Sequence, residues 1–231
     1  MRVIITGCEY TGASTLARDF VDWLYDEFGG RGELPPRFSV HDHFEIPDLL
    51  HEELNDHERD SFLALAPKLK EVFQRYNVLH HTPTLQTARR KSASVMVLVG
   101  FHLAEAIYAQ MYFGYGLEGG PLDRRRFVRR IDDEVMEFGA DTVMAVLTAG
   151  PDEIARRMFA DRHPYGVVRE EDIETVLARF EEEYEASTIE RKLRIDTGGK
   201  RRRQTLEEFV QHFQSYLTEE DRRLFSESAG E

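Results

Sequence analysis

The stretch Arg2-Val3-Ile4-Ile5-Thr6-Gly7-Cys8-Glu9-Tyr10-Thr11-Gly12-Ala13-Ser14-Thr15 decides the architecture of this chain. Residues 2–6 are a short apolar run that meets Gly7, the pattern of a buried strand. From Ser14 onward, Leu16, Phe20, Trp23, Leu24 and Phe28 recur at helical spacing until Gly29-Gly30 stops them. Between strand and helix, Gly7 and Gly12 are separated by four residues, and a hydroxyl residue, Ser14, follows. That is the context of the G-x-x-x-x-G-K-[ST] phosphate loop. The glycines let the backbone curl so that successive N–H groups face one point, and the helix N-terminus adds partial positive charge. The cradle would be lined by Gly7, Tyr10, Thr11, Gly12, Ala13, Ser14 and Thr15, with the Ser14 hydroxyl placed for Mg²⁺. One departure stands out: Ala13 occupies the lysine position, so a main cation of phosphoryl transfer is missing. Glu9 adds a negative charge inside the same loop. The alternative is a plain strand–turn–helix whose glycines serve only the turn.

Outward from this stretch, strand-like and helical runs alternate. Phe38–His41, Val95–Gly100, Thr142–Leu147 and Leu193–Ile195 read as further strands. Residues 48–80 read as helical, broken near Asn55-Asp56 and Pro67. Leu103–Phe113, Asp123–Phe138, Pro151–Asp161, Glu171–Glu185 and Thr205–Tyr216 read as helices, with Arg162–Arg169 a loop. Five strands between helices predict an α/β three-layer sandwich with a five-stranded parallel sheet. The expected organisation is a single domain over 1–217 with a frayed tail over 218–231. In such folds ligands sit beyond the carboxyl ends of the strands.

Composition narrows the function classes. A hydrophobic fraction of 41% over 231 residues supports a sizeable core rather than a disordered chain. With 30 basic against 43 acidic residues the net charge is −13, which opposes nucleic acid as a partner. Cys8 is the only cysteine, which excludes an internal disulfide and a cysteine-held zinc. No apolar run approaches the roughly 20 residues that span a bilayer. No membrane association and a cytoplasmic location are the expectation.

By its glycine loop and order of elements the chain resembles the P-loop nucleoside and nucleotide kinases. Val143–Met158 looks like the fourth strand and following helix of those kinases, and Leu193–Lys200 like the fifth strand and the loop that passes the adenine. The resemblance implies an ATP-type donor, Mg²⁺ and a small-molecule phosphoryl acceptor in the cleft. It also implies a lid-like loop over 162–170, with Arg156, Arg157 and Arg162 matching lid arginines in placement. Arg157 or Arg162 would then replace the missing lysine as catalytic cation. Alternatively these arginines pair with the acidic helix Glu171–Glu185. The helical stretch 48–80 would be an insert, serving as lid, acceptor side or interface.

Candidate groups follow the other strands. Asp42, between His41 and His43, is the first choice for a general base toward an acceptor hydroxyl. Glu105, after the third strand, is a candidate for acting on Mg²⁺, and His102 for touching substrate. Tyr108, Tyr112, Phe113 and Tyr115 would line an aromatic pocket or pack in the core. Arg126 and Arg130 share a helical face, as do Arg125 and Arg129; Arg126 is a candidate for a phosphate-bearing acceptor, against a solvated face balanced by Asp132, Asp133 and Glu134. Two readings of function follow: a small-molecule kinase with a divergent loop, or a nucleotide-binding pseudokinase. A sulfotransferase-like enzyme, whose related loop also lacks that lysine, is a third.

Overall fold

The structure is a computed structural model and describes residues 2–26, 37–42, 55–87, 94–120, 122–163 and 166–219. Its strands are β1 (Arg2–Gly7), β2 (Arg37–Asp42), β3 (Ser94–Val99), β4 (Val143–Thr148) and β5 (Arg191–Asp196). They form a five-stranded sheet in the order β2-β3-β1-β4-β5, with every pairing parallel. The helices are α1 (Ala13–Leu24), α2 (Asp56–Leu63), α3 (Pro67–Thr87), α4 (Phe101–Tyr108), α5 (Arg124–Gly139), α6 (Pro151–Ala160), α7 (Ile173–Ala186) and α8 (Arg202–Phe213).

The central strands are apolar without interruption because both of their faces are covered. Alternate side chains enter different layers. Val3, Ile5, Val97, Ala145 and Leu147 pack with Phe20 and Leu24 of α1 and Phe209 and Phe213 of α8. Ile4, Leu98, Met144 and Val146 pack with Leu103, Val128, Ile131 and Tyr184 of α4, α5 and α7. The expected three-layer α/β architecture is therefore present. A further cluster lies at the carboxyl edge of the sheet. There Cys8, Tyr108, Ile154, Met158, Val168 and Phe180 join the glycine loop to α4, α6 and α7.

Some boundaries differ from the sequence expectation for identifiable reasons. β5 is an edge strand, so Arg191, Lys192 and Arg194 belong to it although only Leu193 and Ile195 are buried. An apolar-run criterion sees only its centre. The helix expected over Leu103–Phe113 begins earlier, at Phe101, and loosens into a π-helical turn over Ala109–Phe113. Gly114, at φ 70°, ends it. α3 runs on to Thr87. Residue 43, the helical start expected over 48–54 and the tail beyond 219 lie outside the described residues.

Candidate functional site

Parallel register puts the carboxyl ends of the strands on one edge. Gly7 lies opposite Leu147, Asp42 opposite Val99, and Thr148 opposite Asp196. The glycine loop, Asp42, the turn after β3 and the segment after β5 therefore share the edge where ligands bind in such folds.

The loop has a cradle geometry. A Cβ on Gly7 would lie 2.6 Å from the Leu147 carbonyl oxygen and 2.7 Å from Thr11 Oγ1, so only glycine fits. Gly12 caps α1 at φ 92°, a left-handed backbone that side chains disfavour. Between them the Thr11 N–H and hydroxyl both donate to the Cys8 carbonyl, at 3.1 and 2.7 Å. Tyr10 also sits at positive φ, 68°, a strained backbone for a non-glycine residue. The N-terminus of α1 has no side-chain cap and no acidic residue in its first turn. Its partial positive charge is thus offered to the loop, with Ser14 in the second helical position.

Four elements brace this loop. Arg157 of α6 donates through Nη1 to the Tyr10 carbonyl at 2.9 Å and to Thr197 Oγ1 at 3.0 Å. Its Nη2 donates to the Thr197 carbonyl at 2.7 Å, and its Nε to Glu153 at 2.8 Å. Thr197 Oγ1 in turn lies 3.0 Å from the Thr11 carbonyl and 3.1 Å from the Thr148 carbonyl, sharing its one proton between them. On the other side the Glu9 N–H donates to the Tyr108 hydroxyl of α4 at 3.1 Å. Burial pushes the Cys8 thiol far up, and the Glu9 charge adds to this, which keeps it in the protonated form.

The loop after α6 folds down onto the same place. The Glu9 carboxylate accepts from the Val167 N–H at 3.0 Å and the Val168 N–H at 3.3 Å. The Tyr10 ring stacks on His163 with centroids 4.5 Å apart, and the His163 N–H donates to the Tyr10 hydroxyl at 3.3 Å. Burial raises the Glu9 carboxyl above its ordinary range, opposed by those N–H bonds and by His163.

The remaining candidate residues divide by position. Asp42 ends β2 at the ligand edge, as the sequence placed it; its side chain lies outside the described residues. Arg162 is exposed beside Tyr10 and close enough for its charge to lower the Tyr10 pKa, against burial that raises it. Arg157 is at the loop but committed to protein acceptors, so it braces the cradle rather than facing it. Arg156 and Arg157 pair with Glu153 of their own helix, and the acidic helix α7 is paired instead with Arg125, Arg129 and Arg194. Glu105 accepts from the Tyr115 hydroxyl at 2.6 Å and lies 3.5 Å from Arg124, which also meets Glu71. Glu105 is thus buried in an ion network with Arg124 and Tyr115. His102 is fully buried with Nε2 2.7 Å from Asp132, a packing role in place of the expected substrate contact. Arg126 is 80% exposed and pairs with Asp123, the cap of its own helix. Among the described residues, no group of three His, Cys, Asp or Glu side chains is arranged to hold a metal ion.

No family model and no curated protein matches this chain. Solved structures do. Deoxyadenosine kinase from M. mycoides with bound dATP superposes with a TM-score of 0.58 at 16% identity, covering 93% of this chain and 100% of that one. Thymidylate kinase from Candida albicans gives 0.57 at 15% identity, covering 93% of this chain and 91% of its own. YorR from Bacillus subtilis, in complex with phosphorylated GDP, gives 0.55 at 15% identity over 94% of this chain and 99% of that one. The chain has the fold of the nucleoside and nucleotide kinases. Within this fold the glycine loop joins the first strand to the first helix.

Sequence reasoning missed how two residues outside the glycine loop hold it. Thr197 reads as part of a D-T-G-G turn, and nothing local marks it as a bridge to Thr11. Tyr108 reads as one aromatic of a helix among several; only the fold shows its hydroxyl under Glu9.

Proposed function

We propose that this chain binds a nucleoside polyphosphate on the loop Gly7–Thr15 and is kinase-like in action. The acceptor would be a small hydroxyl compound, a nucleoside or nucleotide, at the carboxyl edge of β2. The observation that carries this is the uncapped N-terminus of α1, held by Gly12 beneath a braced backbone cradle. The chemistry of the residues fits an anionic polyphosphate: backbone N–H groups, a helix N-terminus and the Ser14 hydroxyl. ATP, when bound there, supplies the phosphoryl group, with Mg²⁺ carried on its phosphates. Ser14 is the protein group in the loop suited to that ion, and Glu105, paired with Arg124 and Tyr115, would act on it only from a distance. Asp42 would accept the proton of the attacking hydroxyl. Arg162, exposed at the rim, would meet the phosphates in place of the lysine absent at position 13. No helix among the described residues is long and apolar enough to cross a membrane.

A second reading, nucleotide binding without transfer, is favoured by one specific observation. With Ala13 in the lysine position, Arg157 is a cation held against the loop, and its Nε, Nη1 and Nη2 all donate to protein acceptors. Calorimetric titration with ATP and Mg²⁺, beside Gly12→Asp, tests the shared claim. Saturable binding lost in Gly12→Asp supports it; absence of binding at millimolar ATP refutes it. An acceptor screen for phosphoryl transfer, with Arg162→Ala as comparison, then separates the two readings.

A further inference from the structure

Helix α3 is amphipathic in the reverse of the usual sense. A helix packed on a core turns its apolar stripe inward and its charges outward. α3 turns a carboxylate inward: Glu71 is buried and pairs with the buried Arg124 of α5 at 3.2 Å. Arg75, four residues on, donates to the same carboxylate through Nε at 2.8 Å. Val78 continues that inner face. Leu69, Val72, Phe73 and Tyr76 lie on the other side, 50%, 42%, 39% and 71% exposed. Their spacing of i, i+3, i+4 and i+7 makes one continuous helical stripe. Phe62 of α2 widens it, meeting the Phe73 ring edge-on with centroids 5.6 Å apart. The outward direction is fixed by the ion pair. Rolling the stripe inward would pull Glu71 away from Arg124, and a buried charge that loses a partner is costly.

An exposed apolar stripe of this kind marks an interaction surface, and charge says what fits it. The chain carries a net charge of −13, so two copies repel each other overall. This face is the exception. Residues 67–79 of α3 carry Lys68, Lys70 and Arg75 against Glu71, a net charge of +2. The neighbouring α2 carries Asp56, Glu58 and Asp60 against Arg59, a net charge of −2. The patch is therefore complementary to itself. In a two-fold pair both copies offer the same patch, so each α2 can meet the other copy's α3. Area sets the strength. α3 has 21 residues and α2 has 8. At 1.5 Å per residue and a width of about 10 Å, together they cover about 400 Å². A standard interface covers about 800 Å² on each partner, so this one belongs with weak, reversible contacts. We infer that the α2–α3 face joins two copies of this chain in a weak two-fold dimer centred on the stripe Leu69–Tyr76. Tyr76, the most exposed member and of a type that anchors interfaces, is its main contact. The glycine loop plays no part in this dimer, so it stands or falls apart from the proposed function.

Sedimentation of the full chain over a range of concentrations tests it. A monomer–dimer equilibrium is expected, with a midpoint on the order of 10–100 μM. Tyr76→Glu and Leu69→Glu should each weaken association about tenfold or more. Below the midpoint both variants should unfold at the wild-type temperature, because in the single chain these side chains already face water. Lys68→Glu, off the apolar stripe, should also weaken association, since it removes the positive charge that α3 offers to α2. Phe159→Glu is the control: that ring is 94% exposed on α6, and its loss should leave the equilibrium unchanged. A wild type that stays monomeric up to about 1 mM, a hundredfold above the tighter end of that range, overturns the inference. The stripe would then be left to residues 43–54 of the chain or to another protein. A dimer that both Tyr76→Glu and Leu69→Glu leave intact overturns it as well.

Discussion

Arg157→Met separates a bracing arginine from a catalytic one. The substitution keeps the apolar stem and removes the guanidinium. It deletes hydrogen bonds to the Tyr10 carbonyl, the Thr197 hydroxyl and the Thr197 carbonyl, at 2.9, 3.0 and 2.7 Å. Fully buried bonds to a charged donor contribute about 1.5–3 kcal/mol each. Arg157 is 22% exposed, so water re-enters and part of that is recovered. A value near 1 kcal/mol per bond gives a loss of about 3 kcal/mol, or roughly 6–12 °C in Tm for a chain of this size. Urea and thermal unfolding without any ligand measure it. Amide exchange at Thr11 and Gly12 should rise at the same time. An arginine held for catalysis would cost activity and little stability. Destabilisation below about 0.5 kcal/mol, the range of an indifferent surface change, would refute the bracing argument.

Three other perturbations follow from the same structure. Gly12→Ala places a Cβ with nothing within 4 Å, so its cost comes from the backbone at φ 92° alone; about 1–2 kcal/mol is expected in urea unfolding, and a loss near zero would contradict the left-handed cap. Phe20→Ala removes a fully buried ring that meets Phe209 and Phe213 edge-on at 5.0 Å; about 3–5 kcal/mol should be lost in the same assay. Glu9, surrounded by Cys8, Tyr10, Tyr108 and His163, has its carboxyl raised above the ordinary 4.5 by burial, against the N–H bonds. A carboxyl whose pKa is raised in the folded protein costs stability as pH rises from 4.5 through the raised value. Unfolding followed over that range should show the loss, and Glu9→Gln should remove it.

The fold was legible wherever burial on both faces of the sheet wrote an unbroken apolar run, as in Arg2–Thr6, Val95–Val99 and Thr142–Leu147. It was less legible at β5, an edge strand whose Arg191, Lys192 and Arg194 interrupt the apolar run. The glycine loop was legible because Gly7 and Gly12 answer to local geometry, a close approach to Leu147 and a left-handed cap. The roles of charged side chains were not. Glu105, His102 and Arg157 each sit where the sequence placed them along the chain. Their partners, Arg124, Asp132 and Thr197, come from other elements, and partner choice is what distinguishes a ligand-facing group from an internal brace. Glu9 shows the same limit: its partners are backbone N–H groups of Val167 and Val168, which no side-chain pattern announces.

The most direct test of the central claim is amide chemical-shift mapping during titration with ATP and Mg²⁺. Binding on the phosphate loop is expected to move the resonances of Tyr10 through Thr15 first and most, with the segment 161–169 following and α5 and α8 still. Perturbation confined to other surfaces, or none at millimolar ATP, would contradict the assignment of this loop as a polyphosphate site.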